Sequence, residues 1–104
     1  MENKTKAQTY IGFSIRNGKS KIGTGAVETL KRANLMIVCC TASENTVKQA
    51  KKLARKLNAK LIATLRPLEE YTFKPNGKVM AICDKDLANA ILDHSEKEFV
   101  EVGE

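Results

Sequence analysis

Lys19, Lys21, Lys31 and Arg32 flank the turn Gly23-Thr24-Gly25. Backbone amides at the start of a helix, with cations beside them, form a surface that accepts anions. Gly25 leaves room for a phosphate to approach those amides. Contacts of this kind position a nucleic acid without reading its bases. Other patterns carry less. Gly18-Lys19-Ser20 ends like a phosphate-binding loop, but Phe13 stands where that motif requires its first glycine, and a helix rather than a strand precedes it. Gly23-x-Gly25 follows a strand and opens a helix, as in dinucleotide sites. Glu28 occupies the third glycine position, where its side chain would block helix–strand packing and repel pyrophosphate.

No nucleophile has a visible base. His94 is placed near a helix C-terminus, where free carbonyls account for it, and Asp84 and Asp86 read as helix-capping residues. Cys39, Cys40 and Cys83 form no C-x-x-C pair, so they are expected to be buried, unreactive thiols without metal. The expectation is a protein without enzymatic activity, cofactor or metal.

These residues must be positioned by a scaffold, and its centre is Leu35-Met36-Ile37-Val38-Cys39-Cys40. A six-residue apolar run is too short to span a membrane and too continuous for a half-exposed strand. It reads as a strand over 35–40 buried on both faces, which requires helices above and below the sheet. Ser43 or Asn45 can cap the helix that follows over 44–57, where Val47, Ala50, Leu53, Ala54 and Leu57 form one stripe. Lys48, Lys51, Lys52, Arg55 and Lys56 cover the opposite face, a placement that any amphipathic surface helix would show.

Around this centre the pattern predicts a helix over 4–17 ended by Gly18, a strand over 19–22, and a helix over 25–33 with Thr24 as its cap. Further strands are expected over 60–64 and 79–83, with a short helix from Pro67 and a turn over 74–78 between them. Asp84 should cap a last helix over 85–93. Residues from Ser95 onward, with Phe99, Val100 and Val102 in weak alternation, are either flexible or an edge segment. This order gives an α/β fold, a three-layer α/β/α sandwich on a four-stranded sheet, as one domain over 1–94 with an acidic tail over 95–104.

Charge is unevenly distributed along the 104 residues. Net charge is +6, but residues 1–66 hold 14 Lys+Arg against 3 Asp+Glu, and the last ten residues hold four glutamates and one lysine. A basic body suits a polyanionic partner, nucleic acid above all. No apolar run of 18 residues and no secretory leader pattern is present, so a soluble cytoplasmic protein is expected.

Several segments together resemble a known family. They are Ile11-Gly12-Phe13-Ser14-Ile15-Arg16-Asn17-Gly18-Lys19, Ile22-Gly23-Thr24, Leu35–Cys40, Ala42-Ser43-Glu44-Asn45-Thr46, and the run from Ala81 to Leu92. Over residues 7–93 the chain resembles the ribosomal proteins that bind kink-turn RNA, the L-seven-Ae and L-thirty-e family, and in particular its bacterial YlxQ-type branch. The resemblance implies a mixed four-stranded sheet in the order 1-4-2-3 with strand 4 antiparallel. It implies no catalysis, and RNA as the partner, ribosomal or otherwise structured, with ribosomal subunits as candidates and a monomer expected.

In the family the kink-turn is held by the turn into the second helix and by the loop before the last strand. Gly23 and Thr24 match. Gly25 and Ala26 stand where a polar pair belongs, and Thr29 stands where a lysine belongs. These losses imply a grip on phosphate rather than on base edges. The expected RNA contacts are therefore Lys19, Lys21, Gly23, Thr24, Gly25, Lys31 and Arg32, with Lys74, Asn76 and Lys78 from the second loop at the same end of the sheet. A protein-interaction or regulatory module that kept the fold and lost kink-turn recognition is the alternative.

Overall fold

The computed structural model describes residues 6–72, 77–93 and 99–102. Its elements in order are α1 (Lys6–Arg16), β1 (Ser20–Ile22), α2 (Thr24–Glu28), β2 (Leu35–Val38), α3 (Glu44–Leu57), β3 (Lys60–Thr64), α4 (Glu69–Thr72), β4 (Val79–Ile82), α5 (Lys85–Asp93) and β5 (Phe99–Glu101). The fold is α/β, with one mixed sheet in the order β1-β4-β2-β3-β5. Strands β2 and β3 are parallel, and every other neighbouring pair is antiparallel.

All four residues of β2 are buried, and the two-residue period of a strand divides them between two cores. Leu35 and Ile37, with Cys39 beyond the strand end, pack with Ile11 of α1, Tyr71 of α4 and Ile91 of α5. Met36 and Val38 pack with Val27 of α2 and with Ala50, Leu53, Ala54 and Leu57 of α3. Helices thus cover both faces of this strand, as its uninterrupted apolar run requires.

The best-defined helix is α3. The Ser43 hydroxyl accepts the Thr46 amide at 3.2 Å at its start. Asn58, at φ 56°, turns the chain left-handed at its end, where its amide and that of Ala59 reach back to Arg55 and Ala54. Gly18, at φ 66°, makes the corresponding turn after α1. The Asp84 carboxylate accepts the Leu87 amide at 3.0 Å and so begins α5.

The structure departs from the sequence reading in several places. The sheet has five strands instead of four, because Phe99–Glu101 pairs antiparallel with β3 (Thr64↔Phe99, Ile62↔Glu101). Phe99 is buried, with its ring 5.5 Å from that of Tyr71, while Val102 packs on the opposite core. Two side chains on opposite faces hold this short strand in the sheet.

Strand β2 ends at Val38 rather than at Cys40. The Cys39 amide donates to the Lys78 carbonyl at 2.7 Å, the Cys40 amide turns to the Thr64 hydroxyl at 3.0 Å, and Cys40 is left exposed. Helix α2 stops at Glu28 rather than at residue 33. Thr29 folds its hydroxyl back onto the Ala26 carbonyl at 2.7 Å, a local bond that competes with helix continuation. Gly23, not Thr24, is the N-cap of α2. Its φ of 96° is open to glycine and strained for other residues, and no side-chain hydrogen bond accompanies it.

Candidate functional site

The turn at Gly23 and Lys78, from the second loop, share one end of the sheet. The Gly23 amide donates to the carbonyl of Val79, the first residue of β4. Thr24 begins α2, and a Cβ on exposed Gly25 would meet nothing within 4 Å. Lys78 lies at the same end, while Lys74 and Asn76 fall outside the described residues.

Lys78 is not a cation held out to solvent. Its ammonium donates at 2.8 Å to the Glu69 carboxylate and at 2.8 Å to the Thr41 hydroxyl. The hydrogen bond from Lys78 is the main reason why the Glu69 carboxyl sits below the usual carboxylate range, and the same bond raises Lys78. Buried Cys39 completes this network. Its sulfur accepts the Leu68 amide at 3.2 Å and the Thr41 amide at 3.4 Å, and it lies 3.0 Å from the Thr41 hydroxyl.

The other expected cations are elsewhere. Strands β1 and β2 both run antiparallel to β4, so both begin where β4 ends (Ser20↔Ile82, Leu35↔Ile82). The chain leaving α2 must therefore cross back along the sheet before β2 can start. The Lys19 carbonyl accepts the Cys83 amide at 2.7 Å, and the Asn34 amide donates to Ile82 at 2.9 Å. Lys19, Lys31 and Arg32 consequently lie at the opposite end from Gly23, separated by the roughly 10 Å that the four residues of β4 span. They do not flank the turn as the sequence suggested.

Lys21 lies mid-strand opposite Ala81. Its charge pulls the Cys83 thiol pKa down, against a larger upward push from desolvation, and the net shift is upward. Cys83 and Arg32 line one pocket together with Asn34. Cys83 is exposed as a residue although its thiol is partly shielded. The expectation of three buried thiols therefore holds for Cys39 alone, which stays packed in the core just beyond β2, whereas Cys40 and Cys83 are exposed.

The displaced cations have new neighbours. The Lys56 ammonium donates to the Glu28 carbonyl at 3.3 Å, and the Ala33 amide donates to Leu57 at 3.3 Å. These contacts bring the segment carrying Lys31 and Arg32 against the C-terminal end of α3. Along α3 itself, Lys48–Lys52, Lys52–Lys56 and Lys51–Arg55 are four apart, and Lys48–Lys51 and Lys52–Arg55 are three apart. Each such like-charge pair on a helix costs about 0.2–0.5 kcal/mol. Glu44, in the first turn, is the only acid of the helix. Lys48 and Lys52 line a groove shared with Glu28 and Gln49, and the Gln49 amide donates to Glu28 at 2.8 Å. Lys51 and Arg55 line a second groove with Lys60, Leu61 and Val102.

Sequence reasoning saw the α3 cations only as a solvated face and missed both Lys60 and the Glu69 partner of Lys78. The signal for the first was the run Lys48-x-x-Lys51-Lys52-x-x-Arg55-Lys56 without an intervening acid. Among the described residues, no group of three or more His, Cys, Asp or Glu side chains could hold a metal ion, and no helix is long and apolar enough to cross a membrane.

No family model matches the chain, and no curated protein matches it.

Proposed function

We propose that the protein is a non-enzymatic RNA-binding protein of the kink-turn-binding ribosomal type, a cytoplasmic monomer that associates with ribosomal or other structured RNA and grips phosphate rather than reading kinked base pairs. The proposed architecture is the family's three-layer α/β/α sandwich, widened here by β5. The reading is carried by the excess of 14 Lys+Arg over 3 Asp+Glu in residues 1–66, and exposed Lys19, Lys21, Lys31 and Arg32 belong to that excess. A cation excess on this scale suits a phosphate polymer.

A second reading, a protein-interaction or regulatory module that kept the fold, is favoured by two observations at the family's recognition end. Lys78 is bound to Glu69, and Thr29 turns its hydroxyl onto Ala26 where the family presents a lysine.

The test is the affinity of the full chain for a kink-turn RNA and a plain RNA duplex across a salt series. The expected result is similar affinity for both, with log affinity falling against log salt by about 0.7–0.9 per phosphate neutralised. Affinity that stays flat with salt, or no RNA binding beside a defined protein partner recovered from the native cell, would overturn the first reading. Replacing Gly25, Ala26 and Thr29 together by Asn, Glu and Lys should create a preference for the kink-turn.

A further inference from the structure

We infer that the outer face of α3, continued by Lys31 and Arg32, is the surface that lies against RNA, and that it takes the phosphate backbone of an RNA duplex. This rests on the RNA-binding reading above and moves the contact away from the Gly23 turn. A helix that only needed solubility would alternate signs and gain from pairs of opposite charge. Here Lys48, Lys51, Lys52, Arg55 and Lys56 are neighbours of one another, and the only acid on α3 lies in its first turn. A face this dense in cations attracts a polyanion.

The array is rigid and continuous. Ser43 and Asn58 fix the ends of α3, and Ala50, Leu53, Ala54 and Leu57 seat it on the sheet. Fourteen residues make a ridge about 21 Å long. The Lys56–Glu28 and Ala33–Leu57 contacts join the ridge to the loop bearing Lys31 and Arg32.

Chemistry selects the partner. Among the described residues the exposed large apolar side chains are Phe13, Leu65 and Val100, and none belongs to α3 or to the loop that carries Lys31 and Arg32. A protein interface of useful strength is anchored by buried aromatic or aliphatic groups at its centre, which this face does not offer. Duplex phosphates need no such anchor. With its apolar side seated on the sheet, α3 cannot sink into the deep, narrow major groove of A-form RNA, so it lies across the shallow side and touches backbone.

The experiment compares wild type with a Lys48→Gln/Lys52→Gln/Lys56→Gln variant and a Lys19→Gln/Lys21→Gln variant, using fluorescence anisotropy on an RNA duplex between 50 and 200 mM salt. Glutamine keeps helix propensity, and circular dichroism checks the fold. With each lost phosphate contact lowering the salt slope by about 0.7–0.9, the three-lysine α3 variant should lose about 2.1–2.7 from the slope. Its affinity should then fall about 20- to 40-fold less than that of wild type over this salt range, and it should bind more weakly at 50 mM. If the α3 variant matches wild type while the Lys19/Lys21 variant is weakened, the α3 surface is wrong and RNA binding stands. If wild type binds no duplex at 50 mM salt, both fall. Tighter binding of wild type to polyglutamate than to RNA would reassign the face to an acidic protein.

Discussion

Lys52→Glu should make the protein more stable while making it a poorer binder of RNA. Lys52 has Lys48 and Lys56 four residues away and Arg55 three residues away. Each like-charge pair costs about 0.2–0.5 kcal/mol, and an opposite-charge pair returns a similar amount. Reversing one charge therefore changes three interactions by about 0.4–1 kcal/mol each as an upper range. Glu28 lines the same groove and opposes part of that gain. Lysine and glutamate have similar helix propensity, which leaves a net stabilisation of about 1 kcal/mol, or about 4–8 °C in Tm for a domain of this size.

Urea unfolding at about 0.01 M and about 1 M salt separates this mechanism from others, because the Debye length falls from about 30 Å to about 3 Å over that range. Neighbours on a helix lie about 5–6 Å apart. The midpoint should rise at low salt with the slope m unchanged, and most of the gain should vanish at high salt. A lower midpoint, or a gain that persists undiminished in high salt, would refute the claim that the like-charge pairs around Lys52 repel one another.

The Lys78–Glu69 pair predicts a pH dependence. The Glu69 carboxyl is held below its ordinary 4.5, so its contribution is present above that value and lost as pH falls through the lowered one. Lys78 is raised above 10.5, so its contribution is present below that value and lost as pH rises through the raised one. Lys78→Met should flatten the acid limb of a stability–pH curve below about 4.5, and an unaltered limb would count against the pair. Gly23→Ala should destabilise by about 1–3 kcal/mol in urea, through backbone strain rather than a clash, since a Cβ there meets nothing within 4 Å. In thiol labelling read by peptide mass spectrometry, Cys40 and Cys83 should react in the native protein and Cys39 only on unfolding. Labelling of Cys83 should quicken as pH rises toward and past 9.0, because its thiol is shifted upward.

What could be read from the sequence was whatever local chemistry dictates. The span 44–57 of α3 and a cap from Ser43 or Asn45 follow from residues within one turn of the boundaries, and Ser43 is the one that caps. The burial of β2 follows from its unbroken apolar run. Features that depend on distant partners were hidden. The three residues of β5 alternate too briefly to announce a strand, and only Tyr71 and the β3 ladder make them one. Lys31 and Arg32 stand close to Gly23 in sequence, yet the direction of β4 sends them to the other end of the sheet. Nothing near Lys78 in the chain shows that Glu69 holds it.

The position of β4 in the sheet sets the order in which the molecule can fold. β4 lies between β1 and β2, so β1 has no neighbour in the sheet until residues 79–82 have been made. A chain shortened to end before Val79 could pair β2 with β3 and dock α3, but Ser20–Ile22 would have no ladder and Met36 and Ile37 would have an open edge beside them. Contacts between residues more than forty positions apart (Val38↔Val79, Leu35↔Ile82) must close before the centre of the sheet exists, which slows folding relative to a helical bundle of equal length. While it is being synthesised, the chain holds a hydrophobic strand edge that only its own late-emerging segment can cover.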